Sequence, residues 1–565
     1  MSFKTHEEKI RQIFAGDTKF EIPRNQRKYV WEEKQWRELL GDIDYIKKCK
    51  LNSNNDISHF LGSFVLQENE SFLEIIDGQQ RITTLFMVLS AICVLFNELQ
   101  SEEEHGKTRQ YLSGNIGLKS QYMRLTNKNI SNISKIMAQS CMYRENVKAN
   151  NLLDKALIDK SDDGNKRILN CFEFYYNQFA ENYRGLEELI SVREIILDMK
   201  VIHINSENEL DCYDIFEILN ARGVDLEESE LLKNYIFKYA QPEYTVDRAK
   251  EIWTKIEKNM DICNGNMEQF LSHFTIYRYY KPTKEEGVFR IIKGNTNKSE
   301  VNYLLDELLA ASEKYIFFYH PEKVNNAAIE KCLKFFALVG IRQFRPLLMA
   351  LFYGLDNGFY TEKQVINICV YLKNFSFAYT LVMKNNSNSI DTKIHELSQD
   401  VYRQHSEIEL NKIRIELGKY YPEYMEFEAA FLNLGFSNKN KKYYKTSNRK
   451  RMFYIHSEIE EYEQETNELV CNFNECNLEH IMNDSESNMC TSRVGNILLL
   501  SERINNNMGN ASFAEKKKKL ARSKLATVKK FLSHYGNFDD WDEDKIEKRT
   551  KKIAELAYNK VWKLN

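Results

Sequence analysis

LEIIDGQQRITTLFMVLSAI, residues 73–92, joins a short apolar run to a long one through a polar break. Leu73, Ile75 and Ile76 read as a strand that stops at Asp77-Gly78. Two glutamines and an arginine follow. Leu85, Val88, Leu89, Ile92 and Phe96 then recur at helical spacing and predict a helix with one apolar stripe. The stretch therefore reads strand, turn, helix. A glycine at such a turn lets backbone N–H groups approach an anion, and the helix N-terminus adds partial positive charge. Arg81 offers a planar fork to phosphate oxygens. Gln79 and Gln80 can donate to phosphate or orient a water, and Asp77 can hold Mg²⁺ or order the turn. The plainer alternative is an Asp-Gly turn whose arginine pairs with a neighbouring carboxylate. No G-x-x-x-x-G-K-S/T pattern is present.

Working outward, "KFEIPRNQRKYVWEEKQWRELLGDIDYI" (19–46) places basic and aromatic residues before a helix bearing Trp36, Leu39, Leu40 and Ile43. Arg27 in this segment can reach the same pocket if the strands pair. Tyr29 and Trp31 read as core. "SHFLGSFVLQ" (58–67) reads as a strand, and Gly62 within it signals close approach. "VIHI" (201–204) is a further strand. It leads into a helix carrying Tyr213, Phe216 and Leu219, with Asn220 a candidate pocket contact, Gly223 a cap and Lys233 a possible phosphate contact.

At 565 residues the chain exceeds one core, since single cores stop growing near ~250–300 residues. With 43% hydrophobic residues and only 6 prolines, long helical patterns dominate, so the expected class is mainly α with α+β parts. The net charge of −3 excludes a uniformly basic protein. The balance is uneven: residues 437–565 hold 24 Lys+Arg against 19 Asp+Glu, and the rest hold 55 against 63. A basic end on an acidic body suits contact with phosphates; a solvated helical surface is the alternative. Eleven dispersed cysteines, a charged N-terminus and no run of ~18 apolar residues lead us to expect a reduced, cytoplasmic protein with no membrane-spanning helix. Cys471-x4-Cys476, near His480 and Cys490, matches no common zinc spacing.

The C-terminal lines "NLEHIMNDS" (477–485) and "SRVGNILLLSERINNNMGNASFAEKKKK" (492–519) carry a chemical pattern. A carboxylate beside a histidine, an asparagine opening an apolar run, and a second asparagine on a helix form the layout of a ββα-metal nuclease site. Phosphodiester hydrolysis needs an activated water and a neutralised leaving oxygen. A neutral imidazole, His480, can take the water's proton. Mg²⁺ or Mn²⁺ prefers hard oxygens such as the Glu479 carboxylate and an amide. Asn496 can hold the His-bearing hairpin. Lys516–Lys519, Arg522 and Lys524 can meet the DNA backbone.

These C-terminal lines resemble the HNH nuclease domain of GmrSD-type restriction proteins over roughly residues 450–530. The shared features are Glu-His-Ile, Gly-Asn-Ile-Leu-Leu-Leu, a later Asn and Ser-Phe-x-x-Lys. Asn483 stands where the family has proline. The resemblance implies Glu479 and Asn505 as metal ligands, His480 as general base and Asn496 as the group that positions it. "IPRNQRKYVW", "HFLGSFVLQ", "IIDGQQRITTL" and "FEILNARGVDLEESELLKNYIF" resemble the successive motifs of the GmrS-type N-terminal domain over about residues 10–240. That domain is related to the ParB/sulfiredoxin-like α/β fold and is associated with nucleoside triphosphate hydrolysis. The resemblance implies a nucleotide pocket at Arg27, Asp77, Gly78, Gln79, Gln80, Arg81 and Asn220, with Asp77 and Gln80 catalytic.

The expected organisation is an NTP-binding domain over 1–240, a helical middle over 241–436 and a ββα-metal (HNH) domain embedded in helices over 437–565. The expected function is prokaryotic anti-phage defence: an NTP-hydrolysing, metal-dependent endonuclease directed at modified foreign DNA, with a homo-oligomer possible. The alternatives are a nucleotide-responsive DNA-binding regulator with an inactive nuclease fold, and an RNA-cleaving toxin.

Overall fold

A computed structural model describes residues 4–24, 26–52, 59–69, 71–116, 120–145, 153–206, 227–240, 247–386, 389–464 and 472–564. Asn220, Gly223, the helix expected at 213–219 and Cys471 lie outside the described residues. The chain divides into two compact units, Met1–Gln241 and Pro242–Asn565.

In the first unit the strands are β1 (Lys4–Lys9), β2 (Phe20–Ile22), β3 (Phe60–Glu68), β4 (Leu73–Asp77), β5 (Ser113–Ile116), β6 (Ser120–Met123), β7 (Leu125–Asn127) and β8 (Lys200–Ser206). Six of them form one mixed sheet in the order β1-β8-β3-β4-β2-β7, and β5 and β6 form a separate hairpin. β3 and β4 run antiparallel with Val65 opposite Asp77 and an irregularity between Val65 and Leu66. β2 lies parallel to β4, with Phe20 opposite Leu73. β8 lies parallel to β3, with Val65 opposite Ile204.

Helices α1 (Glu33–Asn52), α2 (Gln79–Glu98), α3 (Asp163–Asn182), α4 (Leu186–Asp198) and α5 (Glu228–Tyr239) belong to this unit. The turn into α2 is built as expected: Gly78 caps the helix at φ 90°, in the left-handed region that favours glycine. The single stripe is corrected, because every residue of α2 except Arg81 and Glu98 is buried. α2 runs through the middle of the unit, against α3 and α4 and the flanking helices Glu102–Arg109 and Asn132–Ser140. A helix buried all round needs no polar face. This also corrects the expectation about membrane-length segments. Gln79–Glu98 and Glu362–Val382 are long and apolar enough to cross a membrane, yet 94% and 78% of their apolar windows are buried inside the protein.

Among the described residues, the second unit is helical apart from one hairpin and an isolated bridge between Gly435 and Arg493. Its helices include α6 (Met267–Arg278), α7 (Ala327–Val339), α8 (Arg345–Asp356), α9 (Glu362–Ser376), α10 (Asp391–Gln404) and α11 (Thr446–Glu463). The hairpin is β9 (Cys476–His480) with β10 (Ile497–Ser501), followed by α12 (Glu502–Asn505), α13 (Phe513–Leu520), α14 (Ala526–Tyr535) and α15 (Glu543–Leu556). Segments 241–436 and 437–565, read in sequence as separate domains, lie in this one unit. α11 packs on α7, and Trp562 stacks on Phe377 with ring centroids 3.7 Å apart. A small core of Ile481, Leu498, Leu500, Leu520, Phe531, Trp541 and Ile546 sits under the hairpin.

Candidate functional site

β9 and β10 pair antiparallel, with His480 opposite Ile497 and Glu479 opposite Leu498. All four apolar residues of β10 are buried, so the strand is a support rather than a surface. The loop between the strands is held by Asn496, which is fully buried. Its Oδ1 accepts from Met482 N at 2.8 Å and from Trp541 Nε1 at 3.0 Å. Its Nδ2 donates to Met482 O at 2.8 Å and to Thr491 O at 2.7 Å. Four bonds exhaust an amide's capacity. Asn496 therefore braces the chain just after His480 and has nothing left for substrate or metal. It is a positioning residue, not a reacting one.

Gly495 has its own reason. A Cβ there would meet Ile546 O and Thr550 Oγ1 at 2.3 Å, so the glycine lets α15 approach the loop. Thr550 Oγ1 accepts from Gly495 N at 3.1 Å. Arg549 donates to Gly495 O at 2.6 Å and to Ile497 O at 3.0 Å. Burial pulls the Arg549 guanidinium down to about 10. Trp541, Arg549 and Thr550 carry no local signal that ties them to the hairpin; only packing does.

The His480 ring is buried. Its Nε2 bonds the Phe436 carbonyl at 2.9 Å. A carbonyl only accepts, so Nε2 carries the hydrogen and, in the neutral ring, Nδ1 carries the lone pair. Glu479 is tied to Lys516, whose Nζ donates to Glu479 Oε1 at 2.7 Å and to His480 O at 2.6 Å. Lys516 is 1% exposed, which corrects its expected role as a DNA contact. Lys517 and Lys519 are also turned onto the protein, donating to Phe538 O and Asn507 O. Lys518, Arg522 and Lys524 remain exposed. Asn483 donates to Asn510 O at 3.1 Å, a tie that a proline at this position cannot make.

Asn505 ends α12, which packs against β9. Its Oδ1 is buried and has no hydrogen-bond partner. A bare amide oxygen on an element touching the Glu479 strand fits a hard cation. Mg²⁺ commonly takes one or two carboxylates and fills the rest of its shell with water and phosphate. Among the described residues no cluster of three or more His, Cys, Asp or Glu could hold a metal.

The segment before α11, with the first turn of that helix, is basic and open. Lys439, Lys441, Lys442, Lys445, Arg449 and Lys450 are exposed, and none is ion-paired among the described residues. It begins beside Phe436, whose carbonyl holds His480, and ends where Arg449 donates to Asn477 of β9 at 3.0 Å.

In the first unit the structure corrects the glutamines. Gln79 Nε2 donates to Arg27 O at 3.2 Å. Gln80 accepts from Val30 N at 2.9 Å and donates to Lys28 O at 3.2 Å. Gln26 Nε2 donates to Ile76 O at 2.8 Å. Both turn glutamines are buried and hold the irregular segment 27–30 onto the head of α2; the Gln80 amide is engaged at both ends, and the Gln79 amide through its Nε2. Arg81 Nη1 donates to Leu61 O at 2.9 Å, and its Nη2 lies 3.7 Å from Asp77 Oδ2. Gly62 makes room for this guanidinium, since a Cβ would sit 1.9 Å from Arg81 Nη1. The close approach predicted at Gly62 is thus to Arg81 rather than to a ligand. Arg27 lies 3.5 Å from Glu230. Burial raises the Glu230 carboxyl's affinity for a proton against the opposing effect of Arg27. Tyr29 is core, its hydroxyl bonded to Thr84 at 2.7 Å. Lys233 lies over the Phe237 ring.

A hairpin carrying an acid and an imidazole, braced from below and flanked by unpaired cations, suits an enzyme that hydrolyses nucleic acid. Residues 10–237 match the GmrSD restriction endonuclease N-terminal domain, and residues 429–556 match the GmrSD restriction endonuclease C-terminal domain. The chain belongs to the GmrSD restriction endonuclease family, whose members are nucleases of restriction and defence with DNA as substrate. Comparison with curated proteins found no match.

Proposed function

We propose that the β9–β10 hairpin is the cutting site of an HNH-type, metal-dependent endonuclease that acts on modified foreign DNA. The observation that carries this reading is the Nε2–H bond from His480 to the Phe436 carbonyl, which leaves Nδ1 as the ring's basic nitrogen. His480 then serves as general base, taking a proton from the attacking water at Nδ1. Asn496 and Lys516 hold the backbone on either side of the imidazole, so the ring needs little reorganisation. Glu479 and Asn505 would hold Mg²⁺ or Mn²⁺, which when bound supplies Lewis acidity to the phosphate. The exposed run from Lys439 to Lys450 neutralises backbone phosphates.

A second reading rests on one observation: Lys516 already neutralises Glu479. A site so balanced attracts a divalent ion less, as in a DNA-binding regulator with an inactive nuclease fold. Plasmid and RNA incubated with the full chain, with Mg²⁺, Mn²⁺ or neither, and with and without NTP, separate the readings. We expect metal-dependent DNA cleavage that falls by about 10²–10⁴ in His480→Ala. Binding without cutting under each metal supports the regulator, and preferential loss of RNA supports the toxin.

For the first unit we propose nucleoside triphosphate binding at the β4–α2 turn. Its contacts are the Arg27, Asp77 and Arg81 side chains and the first N–H groups of α2, with Asn220 outside the described residues; Gln79 and Gln80 bond segment 27–30.

A further inference from the structure

Helices α7 and α11 leave a cleft of about 740 Å³ between them. Its faces come from helical neighbours: Lys334, Phe335 and Leu338 on one side, Arg449, Phe453 and Tyr454 on the other. Phe335 and Tyr454 lie with ring centroids 4.9 Å apart. Lys331 is paired with Glu458 at 2.8 Å and with Glu461, and Lys373 takes the second Glu458 oxygen at 3.1 Å, so these charges are spent within the protein. Phe473 and Asn477 of β9 complete the lining.

Asn477 links the cleft to the cutting site. Residues two apart on a strand share a face, so Asn477 and Glu479 look the same way along β9, about 7 Å apart. Arg449 and Lys450 line the cleft and end the basic run that starts beside His480's anchor, while Lys334 is paired with Glu330 at 2.7 Å. A nucleic-acid backbone drawn along that run passes Glu479 and the cleft mouth in succession. Phe335 and Tyr454 pack on each other, Phe453 beside them is half-buried, and the lining carboxylates Glu330, Glu458 and Glu461 are engaged by lysines. An aromatic lining with carboxylates in it and Arg449 and Lys450 beside it suits a base more than a phosphate, since every base has a π-face to stack.

We propose that this cleft receives a nucleobase unstacked from the strand being cut, next to the scissile phosphate, while Arg449 and Lys450 hold the flanking phosphates. The cleft is then the place where the enzyme inspects a base, the step that precedes chemistry in enzymes that extrude a nucleotide. The inference rests on the nuclease reading above, and its test separates the two.

The probe is a short duplex carrying 2-aminopurine at successive positions around the cleavage site mapped on unlabelled duplex. Its fluorescence rises when the base leaves the stack. With the full chain and Ca²⁺ in place of Mg²⁺, anisotropy reports binding and 2-aminopurine reports extrusion. We expect a rise confined to one or two positions. Ser457→Trp fills the cleft from α11 and should abolish the rise while DNA is still bound through the basic run. Phe453→Ala, the second variant should the first fail to fold, should weaken binding about 5-fold or more by loss of stacking. Cleavage by the parent with 2-aminopurine quenched throughout, or an undiminished rise in a folded Ser457→Trp protein, overturns the cleft and leaves the nuclease standing. Absence of both binding and cleavage removes the nuclease reading and this inference with it.

Discussion

Lys516 is 1% exposed, and its Nζ lies 2.7 Å from Glu479 Oε1. The same ammonium reaches the His480 carbonyl, so one buried lysine holds both members of the acid–imidazole pair. Lys516→Met leaves Glu479 without its counter-charge. Breaking such a pair costs about 3–5 kcal/mol when both partners are buried; Glu479 keeps some exposure, so the low end is expected. Urea unfolding of Lys516→Met, Glu479→Gln and the double variant should show the two losses adding to more than the double variant's loss. Simple additivity would mean the pair is not coupled.

Asn496→Ala strips partners from Met482 N, Met482 O, Thr491 O and Trp541 Nε1 at once. Each buried orphan costs about 1–3 kcal/mol, so the hairpin should be among the least tolerant places in the unit. Asn496→Asp keeps the two accepted bonds and loses the two donated ones, and should fall between parent and alanine. Melting curves of the three proteins give the order, and a parental melting temperature in Asn496→Ala would refute the brace.

Asn505 Oδ1 is a buried acceptor with nothing to accept from. If it holds a cation, Mg²⁺ should raise the melting temperature of the parent, by about 2.7 kcal/mol of stability at one hundred times the dissociation constant. Asn505→Ala should lose that response. Asn505→Asp adds a second carboxylate and should respond at lower Mg²⁺. Equal metal responses in all three proteins would remove Asn505 from the site.

In the first unit, Gln80→Ala should act on stability rather than on nucleotide. It orphans Val30 N and Lys28 O, a loss of about 1–3 kcal/mol. Arg81→Ala should instead weaken binding of a fluorescent triphosphate analogue. Fluorescence titration and thermal unfolding of both variants decide the assignment, which reverses if Gln80→Ala alone abolishes binding in a stably folded protein.

His456 is buried and His273 half-buried, and loss of solvent drags each imidazole down to about 3, so both are neutral in the fold. The folded state therefore binds these protons less readily than the unfolded chain, whose histidines titrate near ~6.5. Stability is full above that pH and declines as pH falls from about 6.5 toward about 3, each group adding about 1.4 kcal/mol per pH unit to the slope. Urea unfolding between pH 6.5 and 4.5 should show the decline. His456→Leu should flatten it by one proton, and an unchanged slope would mean His456 is protonated in the fold.

The readable part of this protein was local. The short apolar run of Leu73, Ile75 and Ile76, a glycine at Gly78 and an apolar run after it are enough for strand, turn and helix, because these choices are settled by neighbours within a few residues. Glu479 and His480 stand side by side in the sequence, and Asn496 directly precedes the apolar run of β10, so their order too is legible locally. What sequence spacing missed depends on distant elements meeting. Lys516 looks like one of four solvated lysines until α13 docks on β9. Gln80 looks like a ligand group until segment 27–30 arrives to use its amide.

The sequence alone determined the elements, the family and which residue types stand at the mouth of each helix and strand. Tertiary structure alone decided which of those polar groups are already spent on protein partners and which, like Asn505 Oδ1 and the lysines of 439–450, are left for something else. The physical reason is that a hydrogen-bonding group has a fixed capacity, and only the folded chain shows how much of it the protein itself has used.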